Sequence, residues 1–473
     1  MPSNFHAIRS VLATALAPHE ADRHAGAILR AASGRPIEQV LEDVARVMAD
    51  PAIEQDNDAL AGLARRLLEL RHRESIVVRD EPLGYSVFGE QGIEPGARRQ
   101  MDDAMRLGPV VAGALMPDAH QGYALPIGGV IAVEDALIPY AVGVDIGCRM
   151  HLSVFHQPAE QFDALREGLR RAILHGTHFG QQTRSSPLDH PLLDDPRFRE
   201  TEKFMRTSGL RERCALQFGS SGGGNHFVEF GELHVTHPDA GIPSGRWMAL
   251  LSHSGSRALG HRIATAFTAV AKRLTPLPTG LEDFAWLPLG TEEGRAYLAA
   301  MELAGDFSAA NHRVIHETVI AAAGLDVALS VSNHHNYAWR EKFEGRDVYV
   351  HRKGATPASR GALGVIPGSM ATPGFLVRGL SGVGSLESAS HGAGRRMSRR
   401  EAERTITSAA RDLDLASARV ELLGGGIDEA PSAYKDIHSV MAAQTGLVEV
   451  LAEFHPRIVR MAGRTELDPE EGN

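Results

Sequence analysis

The sequence predicts an α+β protein in two parts: an all-helical extension over residues 1–78 and one mixed domain over 79–473. Three observations carry this. Apolar residues recur every three or four positions through the first part, the spacing of one helix face. From about Arg79 glycine becomes frequent and the apolar runs shorten to strand length. Helical stretches alternate with those runs without a clean internal boundary, so one interwoven domain fits the second part.

The first helical stripe is Ile8, Leu12 and Leu16. The second is Val40, Leu41, Val44, Val47 and Met48, and Pro36 stands after a Ser-Gly break where its helix would start. The third is Leu60, Leu63, Leu67, Leu68 and Leu70. Residues 11–17 follow Asn4, His6 and Arg9 and run into charged sequence, so they read as an amphipathic helix rather than a secretion signal. Further on, 110–116, 127–133 and 150–154 read as strands, and 97–107, 163–174 and 261–274 as helices. The Pro- and Leu-rich segment 274–294 reads as a loop.

Composition narrows the class. The chain has 473 residues, 43% hydrophobic and 23% charged, enough for a large core and too apolar for a disordered chain. No apolar run reaches the roughly 18 residues that a membrane span requires. Two cysteines, Cys148 and Cys214, exclude a disulfide framework, and a reducing cytoplasm is the expected compartment. A net charge of −10 argues against a protein that coats nucleic acid nonspecifically, although a local basic groove remains compatible.

Histidine carries the chemistry. There are 23, many beside Gly, Ser or Asn, and glycine next to a reactive side chain allows close backbone approach to a ligand. Residues 116–122 read MPDAHQG, with Asp118 and His120. Residues 144–150 read VDIGCRM, with Asp145 and Cys148. Residues 218–230 read FGSSGGGNHFVEF, with Asn225, His226 and Glu229. Residues 251–261 read LSHSGSRALGH, with His253, and 332–338 read SNHHNYA, with His334 and His335. One thiolate, several imidazoles and carboxylates suit a borderline divalent metal. A shared thiolate can bridge two metals, and pairs about 3.5–4 Å apart suit phosphoryl transfer. Cys214, in ERCALQF, lacks such a frame and reads as a packed hydrophobe.

A second constellation is C-terminal: VIPGSMAT at 365–372 and SASHGAGRRMSR at 388–399. His391 precedes Gly-Ala-Gly and then Arg395 and Arg396. Small residues let backbone N–H groups approach an anion, and arginines add charge-assisted donors. His391 reads either as a nucleophile at phosphorus or as a hydrogen-bond donor in a phosphate loop. No P-loop occurs. Residues 219–223 match G-x-S-x-G, but the following glycines do not suit the helix that a nucleophilic Ser221 would need.

Together these segments resemble the RtcB family of RNA ligases, over about residues 84–463. The resemblance implies one α+β catalytic domain with a central metal cleft. It implies joining of an RNA 3′-phosphate or 2′,3′-cyclic phosphate to a 5′-hydroxyl, with GTP and two Mn²⁺ per site. By motif, Asp145, Cys148, His226, His253 and His335 look like metal ligands, and His391 like the guanylylated nucleophile. Asn225, Glu229, Ser369, Gly392, Ala393, Gly394 and Arg395 look like nucleotide contacts. Asp118 and His120 look like supporting residues, Asp118 at the metal site. An archease-like activator and no membrane association are also implied. Arg395, Arg396, Arg399, Arg400 and Arg404 are candidates for RNA contact.

The sequence departs from the family in three places. The usual Val-Lys-Gly ending reads Met461, Ala462, Gly463, which removes a lysine that contacts guanine. A second serine is replaced by Gly374, and Arg149 follows the metal cysteine where glycine is usual. The alternatives are a metal-dependent phosphatase or nuclease with His391 dispensable, a nucleotidyltransferase of changed base specificity, and a noncatalytic RNA-binding factor.

Overall fold

The computed structural model describes residues 3–52, 57–74 and 76–463. The chain divides into two compact units, Met1–Val77 with Leu274–Pro276, and Val78–Arg273 with Leu277–Asn473.

The smaller unit holds four helices, α1 (Asn4–Leu12), α2 (Pro18–Ala31), α3 (Ile37–Ala49) and α4 (Asp58–Glu74). Ser3 caps α1 by accepting from the His6 N–H, and Pro18 opens α2 where a missing N–H costs nothing. Pro36 is the N-cap of α3. The three stripes meet in one core built on Ile8, Leu12, Val44, Val47, Leu63 and Leu67. Leu68 lies on its outside. Helix α1 ends at Leu12, so no helix runs through 11–17. Helix α2 left little trace in the sequence because its buried face is mostly Ala21 and Ala25 with Ile28.

In the larger unit come β1 (Ser86–Val87), α5 (Pro95–Met105), β2 (Val110–His120) and β3 (Ile127–Val133). Next are β4 (Arg149–Pro158), α6 (Phe162–Gly176), β5 (Phe227–Val235), β6 (Gly245–Ser254) and α7 (Arg257–Leu274). Then follow α8 (Glu292–Ala323), β7 (Val327–His334), β8 (Asn336–Phe343) and β9 (Arg346–Lys353). The last are β10 (Leu363–Ile366), β11 (Gly374–Gly379), α9 (Arg399–Thr405) and β12 (Val448–Met461). The expected strands and helices of this unit all form, most of them longer than read. Segment 274–294 is not a plain loop: Leu287–Pro288 pairs with Ala136–Leu137, and α8 already begins at Glu292.

One sheet runs β1-β2-β3-β9-β8, and a larger one β7-β4-β6-β5-β12-β11-β10 with Glu421–Gly424 joined to β12. The pleat gives the larger sheet two different faces. Leu152, Val154, Leu233, Ala249 and Leu251 pack on one. Val228, Phe230, Met248 and Leu250 pack on the other, against Ile173 of α6 and Ile315 and Val319 of α8. Helix α8 is capped by the Thr291 side chain and ended by Gly324 in the left-handed conformation. No helix among the described residues is long and apolar enough to cross a membrane.

Beneath α8 lies a buried layer of histidines and serines. His312 donates Nε2–H to the Ser254 carbonyl at 3.0 Å, which leaves its Nδ1 to accept from the Ser252 hydroxyl at 2.8 Å. The same hydroxyl is 2.9 Å from His316 Nε2, and Ser153 Oγ is 2.8 Å from His316 Nδ1. His151 stacks on His316 with ring centroids 4.0 Å apart, and its Nε2 lies 2.8 Å from Ser330 Oγ. These three histidines are close enough together to be a metal-ligand group, but hydroxyls and a carbonyl already meet the nitrogens named.

Burial holds His312 and His316 well below the ordinary histidine range. It lowers His351 to about 4, and, with Arg149 beside it, His151 to about 4. Their folded pKa values lie below the unfolded value of about 6.5, so the unfolded chain binds more protons between those limits. The stability they confer is complete above pH 6.5 and is lost as the pH falls below it. Each such group then costs up to about 1.4 kcal/mol per pH unit. The melting temperature is therefore expected to drop steeply between pH 6.5 and 5, and replacing His151 by a residue that does not titrate should flatten that slope.

Candidate functional site

The cleft of the larger unit, about 970 Å³, is lined by Asp145, Cys148, His226, His253, His335 and His391. Cys148 ends the tight turn that leads into β4, and His253 lies near the end of β6. Their registers bring Met150 opposite His253, and Phe227, next to His226, opposite the same His253. His335 follows β7, with its backbone N–H on the Cys148 carbonyl at 2.9 Å.

Four atoms converge. Cys148 Sγ lies 3.1 Å from His253 Nε2 and 3.4 Å from His226 Nε2. His253 Nε2 lies 3.2 Å from His335 Nε2. The other ring nitrogens fix the tautomers: His226 Nδ1–H donates to the Ser221 carbonyl at 2.7 Å, and His253 Nδ1–H to the Asn225 carbonyl at 3.1 Å. Both Nε2 atoms thus carry lone pairs directed at the thiol and at His335. Burial and the neighbouring His226 hold His253 well below the usual histidine range, and burial and His391 do the same for His335. Anchoring the far nitrogen on a carbonyl is the usual support for a metal-binding histidine. This donor set therefore fits one or more divalent ions of borderline softness.

Asp145 closes the group. Its Oδ2 is 3.1 Å from His226 Nε2, and its Oδ1 accepts from the Ser256 N–H at 3.0 Å. Burial alone would raise its pKa, but His226 and the charge of Arg257 bring it below the ordinary carboxylate range. Gly255 makes the approach possible, since a Cβ there would sit 2.0 Å from Asp145 Oδ2. Asp145 is thus held as an anion at the mouth of the histidine group.

His391 faces the same cleft, its ring 4.9 Å from that of His335. Asp118, fully buried on β2, accepts from His391 Nδ1–H at 2.7 Å and from the His391 backbone N–H at 3.1 Å. Burial pushes the Asp118 carboxyl upward, but His391 and Lys435 more than offset it and keep it ionised. Asp118 therefore supports His391 rather than the metal group. The Gly392 N–H, expected to face a nucleotide, points toward the same carboxylate at 3.4 Å. Gly394 has φ +73°, and a Cβ there would lie 2.1 Å from the Asp118 carbonyl, so the loop can dock on β2 only with glycine. His120 Nδ1–H binds that carbonyl at 3.0 Å, and burial lowers its pKa to about 4.

Asn225, Glu229, Ser369, Ala393 and Arg395 all line the cleft. Ser369 Oγ pairs with Thr372 Oγ1 at 2.9 Å. Arg395 is not a free phosphate donor: it binds the Asp428 carbonyl at 2.8 Å and lies 3.5 Å from the Glu429 carboxylate. Arg399 is likewise paired with Asp428 and Glu429. Arg396, Arg400 and Arg404 are exposed.

His334 turns away and stacks on Trp339, with its Nδ1 3.3 Å from Arg149. Ser221 is buried and donates to the His253 carbonyl at 3.2 Å, a structural role. Cys214 is buried, and burial pushes its thiol up. Ala462 packs with Val228 and Phe230, on the face of the sheet away from Glu229, while Met461 lines the cleft. A Cβ at Gly374 would press on Pro367 Cα at 3.3 Å.

Two residues escaped the sequence reading. Arg257 is buried, adopts φ +56°, and donates to the Gly180 carbonyl at 2.8 Å. Its only signal was its place in the His253 segment. Lys353 is held by the Tyr123 and Tyr140 carbonyls, and burial lowers its pKa to about 7. A lysine directly after His351 and Arg352 at the end of a strand was its signal.

Replacing Gly255 by alanine should displace Asp145 and weaken Mn²⁺ binding about tenfold or more, read by titration calorimetry with circular dichroism unchanged. Undiminished affinity would remove Asp145 from the group.

A family model described as tRNA-splicing ligase RtcB matches residues 100–462. The RNA-splicing ligase RtcB of Escherichia coli (strain K12) is 35% identical over 396 residues, covering 76% of this chain and 92% of that protein. The RNA-splicing ligase RtcB of Mycobacterium tuberculosis is 33% identical over 421 residues, covering 74% of this chain and 96% of that protein. The tRNA-splicing ligase RtcB of Thermococcus kodakarensis is 29% identical over 423 residues, covering 72% and 86%. A match of that length, at that identity to the bacterial proteins, makes this chain a member of the RtcB family.

Proposed function

We propose that this protein is a metal- and nucleotide-dependent RNA ligase that joins a 3′-phosphate (or 2′,3′-cyclic phosphate) end to a 5′-hydroxyl. The observation that carries the reading is the meeting, in one cleft, of the donor atoms of Cys148, His226, His253 and His335 with an imidazole oriented by Asp118. Asp145, Cys148, His226, His253 and His335 would hold two Mn²⁺ ions, which when bound supply Lewis-acid stabilisation of phosphoryl charge. Residues 1–78 form a helical extension to the catalytic domain 79–473, an archease-like protein is the expected activator, and the cytoplasm is the expected location.

His391 gives its Nδ1 proton to the Asp118 hydrogen bond, so Nε2 is the free nucleophile. Its lone pair attacks the α-phosphorus of a nucleoside triphosphate, GTP in the family. An N–P bond forms as the bond to the leaving pyrophosphate breaks. The nucleotidyl group then passes to the RNA 3′-phosphate, and attack of the 5′-hydroxyl releases the nucleoside monophosphate. The Asp118 carboxylate stabilises positive charge on the ring during the first step, as the aspartate of a Ser-His-Asp triad does. Asn225, Ser369 and the backbone of Ala393 and Gly394 remain the nucleotide contacts.

With Mn²⁺ and α-³²P-labelled GTP or ATP, wild-type protein should carry label through a denaturing gel, and His391→Ala should carry none. Asp118→Asn should lower labelling about 10²-fold or more while bound metal stays unchanged. Label on His391→Ala, or metal loss in Asp118→Asn, would overturn these roles. Release of phosphate without label would favour the hydrolase alternative.

Arg396, Arg400 and Arg404, spaced by four and exposed, are the arginines left to meet the RNA backbone. Changing all three to alanine should weaken binding of single-stranded RNA and flatten its log–log salt dependence by roughly 0.7 for each phosphate no longer neutralised. An unchanged slope would place the RNA elsewhere.

A further inference from the structure

Behind the strand that follows Cys148 lies a group of cations that neither the metal group nor the His391 pair uses. Arg149 directly follows Cys148 and opens β4, opposite His334 of β7 on one side and Ser254 of β6 on the other. Residues directly opposite each other in a sheet share a face. Ser254 Oγ meets Asn311 of α8 at 3.4 Å. Arg149 and His334 therefore lie on the α8 side, while Cys148 and His335 line the cleft. Helix α8 adds Arg313, which is exposed and close enough to Arg149 to repel it. Both arginines also act on His151, which stacks on His316 of the same helix.

Neither arginine is matched by a carboxylate. The half-buried Arg149 guanidinium donates to Ser332 Oγ and to His334 Nδ1, each at 3.3 Å, and its Nε is enclosed without a partner. Among the described residues Arg313 has neither an ion pair nor a hydrogen bond from its side chain. Asp306, the carboxylate that acts on Arg149, is bound by Arg197 at 2.6 Å. Taking a guanidinium partly out of water with a like charge beside it costs free energy, which a bound anion offsets. Arginine only donates, so His334 Nδ1 is the acceptor of its contact and Nε2 carries the ring proton. Trp339 stacks on that ring and the edge of Tyr337 meets it, each at 4.8 Å, which fixes its direction. A carboxylate fills one arginine fork. Two forks and a third N–H match the several oxygens of a phosphate.

Resting on the RNA-directed reading of this protein, we propose that Arg149, Arg313 and His334 form a phosphate site outside the metal cleft, which holds one backbone phosphate of the RNA. The site starts one residue from Cys148, so it grips a strand close to the end that lies in the cleft. A backbone contact of this kind sets position and affinity and reads no base.

The test uses the full-length, Mn²⁺-loaded protein and a single-stranded RNA with a 3′-phosphate, without nucleotide, so that no joining occurs. Affinity is read by fluorescence anisotropy across a salt series. Arg149→Met and Arg313→Gln should each weaken binding about fivefold or more and lower the log–log salt slope by roughly 0.7, the value of one phosphate on a single strand. The double variant should lose little more than either single one, because both arginines serve one phosphate. Arg313 is exposed on its helix, so Arg313→Gln keeps the test decisive should Arg149→Met disturb its neighbour Cys148. Arg340→Gln, an exposed arginine on β8, should change nothing; an equal loss there would reduce the effect to overall charge and overturn the site. Unchanged affinity and slope in Arg313→Gln, or fully additive losses in the double variant, would also overturn it. Loss of ³²P-labelled inorganic phosphate from the double variant in equilibrium dialysis, with RNA affinity intact, would make the ligand a free anion and overturn the assignment to RNA. Labelling of the protein by α-³²P GTP without RNA should be the same in both single variants as in wild type. The expected loss of RNA affinity with no label on wild type would retain this inference and overturn the ligase reading. Label on wild type with RNA affinity unaltered in the variants would do the reverse.

Discussion

Everything in the cleft depends on lone pairs being forced together. Four soft or borderline donor atoms face one another at 3.1–3.4 Å, and the Nε2 lone pairs of His226 and His253 both point at the Cys148 sulfur. The tautomers of His226 and His253 are set from behind, by the carbonyls of Ser221 and Asn225. His335 lacks such an anchor, for its Nδ1 is buried without a partner. It is positioned instead by its backbone, bonded to the Cys148 carbonyl and to the Ala355 N–H. Sheet registers and the glycine at 255 therefore hold these donor atoms together.

The same sheet separates two uses of histidine by its pleat. Along β6, Ser252 and Ser254 bond beneath α8 while His253, between them, faces the cleft. On the α8 face, serines saturate His312 and His316, and a closed hydrogen-bond layer results. On the cleft face, the far nitrogens are tied to carbonyls and the near ones are left open. Burial lowers the pKa of His312 and His316 on one face and of His253 and His335 on the other, yet the nitrogens of the first pair are met by serines and those that face the cleft are not. Proximity of histidines is therefore a weak criterion for a metal group, and the direction of the unused lone pairs is the stronger one.

The sequence was most informative where residue type and spacing coincide with chemistry. The helical stripes of the first unit pack in a core of their own, the strands through 127–133 and 150–154 form, and residues of the five histidine and cysteine segments line one cleft of the larger unit. What was illegible depended on distance along the chain. Asp118 and His391 are 273 residues apart, so nothing local told that the aspartate orients His391 instead of the metal group. Arg395 carried the motif of a phosphate donor, but Asp428 and Glu429 arrive from a separate turn and take it. Ala462 occupies the expected lysine position, yet the pleat turns it into the core, and Met461 is the residue that meets the cleft. Helix α2 was silent because alanine gives no periodic signal.

Two buried carboxyls in one cleft show how environment divides labour. Asp118 is fully enclosed, yet it accepts an imidazole N–H and a backbone N–H and lies near Lys435, so it remains an anion. Glu229 is nearly as enclosed, with hydrocarbon on either side, and burial pushes its carboxyl well above the usual carboxylate range. The first can stabilise a positive imidazole and cannot donate a hydrogen bond; the second is pushed toward its neutral form. Exchanging their surroundings would exchange those capacities without altering either side chain's chemistry. The partners around a carboxyl, more than its burial, therefore decide whether this cleft holds it as a counter-charge.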